Sequence, residues 1–293
     1  MKLTDTNLED LRALAVDAAQ SAASLIQKNA GAETAILSKS GGDTLASQIL
    51  TEVDLASQKL ILKKLDDSIG RYELGLLTEE SQDDSSRHQR DYFWCIDPLD
   101  GTLPFTENQS GYSVSIALVS REGTPLIGAI ADPRTGSVYH AQKGRGAFQD
   151  EDELKVPLHS DATNLTWVMD RSFLKNSKFS TLQKELESFA DSLNLSGVTM
   201  INHGGAAMNA IWVLQNSPGL YFKFPKLEDG GGSIWDFAAT ACVFAELKIQ
   251  PTNMKGSPLE LNREGSSFMN HGGSVYASSQ QLAEFARQLY QSF

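Results

Sequence analysis

The chain is poor in cysteine, in histidine at metal-ligand spacing, in long apolar runs and in positive charge. Its two cysteines, Cys95 and Cys242, form no C-x-x-C pair and are too few for a disulfide framework. Each lies inside an apolar pattern and reads as a small core residue, which suits a reducing, cytoplasmic setting. The five histidines, at 88, 140, 159, 203 and 271, show no zinc-ligand spacing. No uncharged apolar run reaches the roughly 18 residues of a membrane span, and the polar N-terminus lacks a signal core. Lys and Arg number 25 against 37 Asp and Glu, a formal net charge of −12. That balance excludes a general nucleic-acid or anionic-membrane surface. It leaves room for a small phosphorylated ligand, because a bound cation inverts the local field. There is no internal repeat and no long low-complexity segment.

What is present is an ordinary globular composition, 41% hydrophobic and 21% charged over 293 residues, enough for one large domain or two intimate ones. Thr6-Asn7-Leu8-Glu9 has capping-box spacing, and an amphipathic helix follows to about Asn29. A strand is expected over Glu33–Lys39, a turn at Gly41-Gly42 and a second helix from Thr51 to Ser68. Gly75–Thr78 reads as a strand, and Gln82–Arg90 as a polar loop. Strands at Tyr92–Ile96, Tyr112–Val119, Leu126–Ala131 and Ser137–Ala141 come without intervening helices, an antiparallel-rich α+β pattern. Beyond Leu158-His159-Ser160 the spacing predicts strands at 165–169, 220–223 and 274–277 and helices at 179–193, 206–214, 234–247 and 280–289.

The chemistry gathers where apolar runs stop at acids. Tyr92–Ile96 ends at Asp97, and Pro98 pushes Asp97 toward extended geometry and ends the strand. Asp100 follows three residues after Asp97. Glu79 and Glu80 follow the strand of residues 75–78, and Asp236 opens a helix after a glycine-rich loop. Alone, each has a plain reading: a turn, a solvated strand end, a first-turn helix acid. Together they form a hard oxygen donor set suited to Mg²⁺ or Mn²⁺ rather than Zn²⁺. Thr102 reads as the N-cap of a short helix with Pro104 in its first turn, and a helix start offers N–H groups to a phosphate.

Leu77-Thr78-Glu79-Glu80-Ser81, the run Trp94 to Thr102 with Phe105, and Trp235-Asp236-Phe237-Ala238-Ala239 together resemble the inositol monophosphatase superfamily. That group includes inositol monophosphatases, 3′-phosphoadenosine 5′-phosphate phosphatases and fructose-1,6-bisphosphatases. The likeness runs from the first helix to the last strand. It implies an α/β/α/β/α layered sandwich of α+β class and hydrolysis of a phosphomonoester with two or three Mg²⁺ ions, inhibited by lithium. It implies Glu79, Asp97, the Leu99 carbonyl, Asp100 and Asp236 as metal ligands. Thr102 and Glu79 would orient the attacking water, with Asp54 and Glu80 as supporting acids, and the Gly101 and Thr102 amides would cradle phosphate. Asp100, Gly205, Ala206, Asp229 and Asp236 would meet the substrate. Residues 1–158 would form a half carrying most metal ligands, and 159–293 a half carrying Asp236 and the specificity region.

The chain departs from the family pattern at Pro104, at Ala245-Glu246-Leu247-Lys248 and in the longer loop Lys226–Ser233. Tyr221, Phe222 and Phe224 are candidate stackers for a base, with strand core as the plain alternative. The expected substrate is an inositol or similar polyol monophosphate. The alternatives are 3′-phosphoadenosine 5′-phosphate, a catalytically silent regulator, and an interaction scaffold with incidental acids. A homodimer would follow the family's habit.

Overall fold

Thr4 opens the first helix: its hydroxyl accepts from the Asn7 amide, and the Asn7 side chain accepts from the Thr4 amide. The capping box therefore starts two residues before the expected Thr6. In this computed structural model, which describes residues 2–31, 36–38, 49–156 and 162–292, helix α1 spans Asp5–Asn29. Its buried stripe is mostly alanine, from Ala15 to Ala23, which lets it lie close to its neighbours. Those neighbours are helix α2, Glu52–Tyr72, and the main sheet. Of the strand expected over Glu33–Lys39, Ile36–Ser38 is present as β1, antiparallel to β2, Ile49–Thr51, and the rest lies outside the described residues. Gly41-Gly42 and Leu158-His159-Ser160 fall outside the described residues.

Among the described residues the main sheet has seven strands in chain order. They are β3 (Gly75–Thr78), β4 (Tyr92–Asp100), β5 (Ser113–Ser120), β6 (Pro125–Ala131), β7 (Val138–Gln142), β8 (Ala147–Gln149) and β9 (Asp152–Glu153). Only β3 and β4 run parallel, so the antiparallel expectation holds. Every residue of β5 is buried, as a strand covered on both faces requires. A one-turn helix α3, Ser86–Gln89, interrupts the loop expected at 82–90, and α4 is the five-residue turn Thr102–Thr106.

The second sheet orders β11 (Gly197–Ile201), β10 (Asn164–Val168), β12 (Gly219–Lys223) and β13 (Ser274–Ala277). Strand β10 is parallel to both β11 and β12. Helices α5 (Phe179–Ser192) and α8 (Gln280–Gln291) cover its outer face. Helices α6 (Ala206–Gln215) and α7 (Ile234–Glu246) lie between the two sheets in one shared core. The order helix, sheet, helix, sheet, helix is the expected five-layer sandwich. Cys95 and Cys242 are buried and unpaired in that shared core, and burial pushes both thiols well up.

Candidate active site

The site forms where the C-terminal ends of β3 and β4 meet the first turns of α2, α6 and α7. At the end of β4 the pairing with β5 slips: Asp97 sits opposite Ser115, and Asp100 opposite Ser113. Three steps on one strand match two on the other. This extra residue turns Asp100 to the side that Asp97 occupies, where strict alternation would have separated them. Contrary to the expectation from sequence, Pro98 does not end the strand, which runs on to Asp100. It sits in the irregularity, where no ladder hydrogen bond is needed.

Asp97, Asp100 and Asp236 each offer an oxygen within 4.8 Å of the others. Glu79 joins them: its amide donates to the Ile96 carbonyl at 3.1 Å, and its side chain hydrogen-bonds Asp97. Burial, then the charges of Glu79, Asp100 and Asp236, hold the Asp97 carboxyl far above the usual carboxylate range. Burial and Asp236 push Asp100 up to about 8, against the pull of two amides. Burial also raises Asp236, with Lys223 and the Ser233 amide opposing it. Acids that repel one another in a desolvated space either keep protons or take a cation. The donors are carboxylate oxygens, so the residues present fit a hard divalent ion such as Mg²⁺.

Each acid is fixed by backbone. Asp100 accepts from the amides of Ala206 and Ala207 at 2.9 and 2.8 Å and from the Ser113 hydroxyl at 3.3 Å. A Cβ at Gly205 would stand 2.5 Å from both carboxylate oxygens of Asp100, so only glycine fits there. Asp236 caps its own helix by accepting from the Ser233 amide at 2.5 Å. Gln58 holds the acidic turn after β3. Its Oε1 accepts from the Thr78 hydroxyl at 2.6 Å and the Glu80 amide at 3.2 Å, and its Nε2 donates to Ser81 at 2.9 Å.

Thr102 is not the N-cap; Gly101, at φ +83°, takes that place. The Thr102 hydroxyl instead donates to Asp54 Oδ1 at 3.0 Å and lies 3.3 Å from the Leu99 carbonyl. The other Asp54 oxygen accepts from the amide and hydroxyl of Thr51, the residue that caps α2. Burial raises the Asp54 pKa and the Glu80 charge adds to it, against the bonds from Thr51 and Thr102.

The chain matches the Inositol monophosphatase family over residues 7–292. It belongs to that family. An inositol-1-monophosphatase of Bacillus subtilis is 25% identical over 219 residues, covering 72% of this chain and 75% of that protein. A Nus factor SuhB of Xylella fastidiosa is 28% identical, over 71% of this chain and 70% of that protein. A 3′(2′),5′-bisphosphate nucleotidase CysQ of Shigella flexneri is 29% identical, over 61% and 66%. The solved IMPase of Thermotoga maritima superposes with a TM-score of 0.71 at 17% identity, over 97% of this chain and 99% of that one. The fold is therefore that of inositol monophosphatases, and the family is one of metal-dependent phosphatases.

Among the substrate-side expectations, Gly205 and Ala206 lie against Asp100, as just described. Asp229 does not join the acids: it is exposed and lines a surface depression with Asp83, Arg87, Glu264 and Phe268. The candidate stackers are core. Phe222 stacks on Trp167, Phe224 packs on Phe173 and Tyr290, and Tyr221 is fully buried. Sequence reasoning missed Asp170 and Lys223, which form an ion pair at 2.8 Å. The signal was available. Lys223 closes the apolar run of β12 and Asp170 the run Leu165–Met169, just as Asp97 closes that of β4.

Proposed function

We propose that this chain is a Mg²⁺-dependent phosphomonoesterase acting on a small phosphate ester, either an inositol or polyol monophosphate or a 3′-phosphorylated adenosine nucleotide. The observation that carries the reading is the convergence of the Asp97, Asp100 and Asp236 oxygens, with Glu79 bonded to Asp97. Glu79, Asp97, the Leu99 carbonyl, Asp100 and Asp236 would hold the ions. When bound, divalent ions supply charge that polarises the ester and makes a water more acidic.

The chain's own groups do the rest. The Thr102 hydroxyl commits its proton to Asp54, so its lone pairs are left to accept an O–H of the attacking water. Glu79 takes part in orienting that water, and Glu80 stands in charge contact with Asp54. The Gly101 and Thr102 amides face the phosphate oxygens at the start of α4. As the water oxygen bonds phosphorus, the bond to the leaving oxygen breaks and the alcohol departs with a proton. Asp100, clamped to α6, holds the wall nearest the alcohol. Lithium sensitivity, a cytoplasmic location and a homodimer belong to the same reading.

The likeness to a Nus factor supports a second reading, a metal-binding regulator without turnover. Phosphate release from inositol 1-phosphate and from 3′-phosphoadenosine 5′-phosphate, with Mg²⁺ and with EDTA, separates the two. Release that needs Mg²⁺ and fails in Asp97→Asn supports the enzyme. Folded, metal-loaded protein that is inert on a broad phosphomonoester panel is the regulator.

A further inference from the structure

At the end of α7 away from the acid cluster, two arginines line one cavity. Glu246, the last residue of α7, accepts from the Gly144 and Gly146 amides at 2.8 Å each and so fixes the turn between β7 and β8. From Asp236 to Glu246 the helix rises about 15 Å. Beside that turn a cavity of about 270 Å³ opens between α1 and the β7–β8 hairpin, lined by Glu9, Arg12, Gln142, Arg145 and Phe148. Residue spacing explains the grouping: Glu9 and Arg12 share a face of α1, as His140 and Gln142 share a face of β7.

Arg12 is held in place without being neutralised. Its Nη1 lies 3.2 Å from His140 Nδ1, and His140 Nε2 lies 2.9 Å from the Asp150 carbonyl. A guanidinium only donates and a carbonyl only accepts, so Nδ1 accepts, Nε2 donates and the ring is neutral. Burial, which lowers the His140 pKa, favours the same form. Among the described residues Arg12 has no carboxylate partner. Arg145 reaches Asp5 at 3.3 Å and Glu9 at 3.4 Å, but all three side chains are exposed, and such pairs are weak enough to yield to another anion. The third group is an amide. Gln142 is 1% exposed, and its Oε1 has no hydrogen-bond partner. An acceptor left in that state costs stability until a donor meets it. The terminal torsion of glutamine is soft, so either end of the amide can be turned to the cavity.

These groups call for several acceptor oxygens, to meet the arginines, and one O–H, to meet the amide oxygen. Sulfate has the oxygens and no proton. A phosphomonoester has shed its second proton at pH 7, because its second pKa is about 6. Orthophosphate keeps an O–H at that pH. We propose that this cavity is an anion site, apart from the acid cluster, that takes orthophosphate, held by Arg12 and Arg145 and selected by the amide oxygen of Gln142. Its use rests on the phosphatase reading above: every phosphomonoesterase releases orthophosphate, so the site would read product whatever the alcohol. Glu246 ties the wall of the site to the helix that carries Asp236.

Titration calorimetry on the whole chain in EDTA tests it, since without divalent ions the acid cluster repels phosphate. Orthophosphate, methyl phosphate and sulfate are compared at pH 7 and equal ionic strength. One orthophosphate per chain should bind, about tenfold or more tighter than either other anion, because it alone satisfies the amide oxygen. Arg12→Gln and Arg145→Gln should each weaken that binding about tenfold. Gln142→Met should keep weak binding of all three anions and lose the preference; Gln142→Asn, with its shorter reach, serves if the Met variant does not fold. Arg121→Gln, outside the cavity, should bind as the wild type does. No binding up to about 10 mM orthophosphate, equal binding of the three anions, or binding that survives both arginine substitutions overturns the proposal. The titration involves neither metal nor turnover. Its failure therefore leaves the phosphatase reading standing, and a chain inert on every ester would still show the site.

Discussion

The Thr102 hydroxyl donates to Asp54 across 3.0 Å and so fastens the turn after Asp100 to the first turn of α2. Asp54 is fully buried, and the bonds from Thr51 and Thr102 compensate that burial. Thr102→Val keeps the shape and removes the donor. It should lower phosphate release by about 100-fold or more and stability by about 1–3 kcal/mol, because a buried acceptor loses its partner. Thr102→Ser should keep most of both. A Val variant with wild-type kcat would remove Thr102 from the chemistry.

Asp97→Asn separates function from stability. The variant should lose more than about 100-fold in phosphate release and most of the Mg²⁺-induced rise in Tm. Without metal it should be more stable than the wild type, since a buried acid facing Glu79, Asp100 and Asp236 has been neutralised. Thermal melts in EDTA and in Mg²⁺, run beside the assay, read all three. A metal-free Tm below that of the wild type contradicts the repulsion argument.

The pH dependence of the metal-free protein follows from Asp100, whose pKa rises from the ordinary 3.8 to about 8. The folded state holds this proton more tightly than the unfolded chain. The stabilisation it brings is therefore fully present below about pH 4 and is lost as pH rises through about 8. In EDTA, Tm should fall between pH 6 and pH 9. Mg²⁺ should remove most of that fall, because the ion favours the ionised acids, and its binding near pH 7 should release protons. A metal-free Tm that is flat across this range would count against the raised pKa.

Gly205→Ala tests the packing of the wall beside Asp100. The new methyl would meet the carboxylate at 2.5 Å, and one of the two must move. About 1–3 kcal/mol of stability should be lost, together with Mg²⁺ affinity measured by titration calorimetry. Unchanged affinity would show that Asp100 need not sit where it does to bind the ion.

Much of the site was legible because β3, β4 and α7 announce their acids: an apolar run stops, and a carboxylate follows. The glycine-rich approach to Trp235 marked the start of α7 in the same way. The sharing of one face by Asp97 and Asp100 was not legible, because it depends on a slip against β5 that local sequence does not record. Thr102 was misread for a related reason. Its hydroxyl had a local role available as a cap, and a distant acid took it instead. Strand β11 was overlooked because Thr199 and Met200 face solvent and the run has no apolar alternation. Lys223 and Asp170 were readable as strand ends but lie far apart in sequence, and only the pairing of β10 with β12 brings them together.

Helix α6 has no side chain of its own to cap its start; the carboxylate that grips its first amides comes from 106 residues earlier in the chain. The same carboxylate faces the other acids. Whatever occupies the acid cluster therefore competes for electrons that Ala206 and Ala207 also draw on, and α6 lies in the core shared by both sheets. Amide exchange at those two residues should therefore change when the site is filled, before any substrate is turned over.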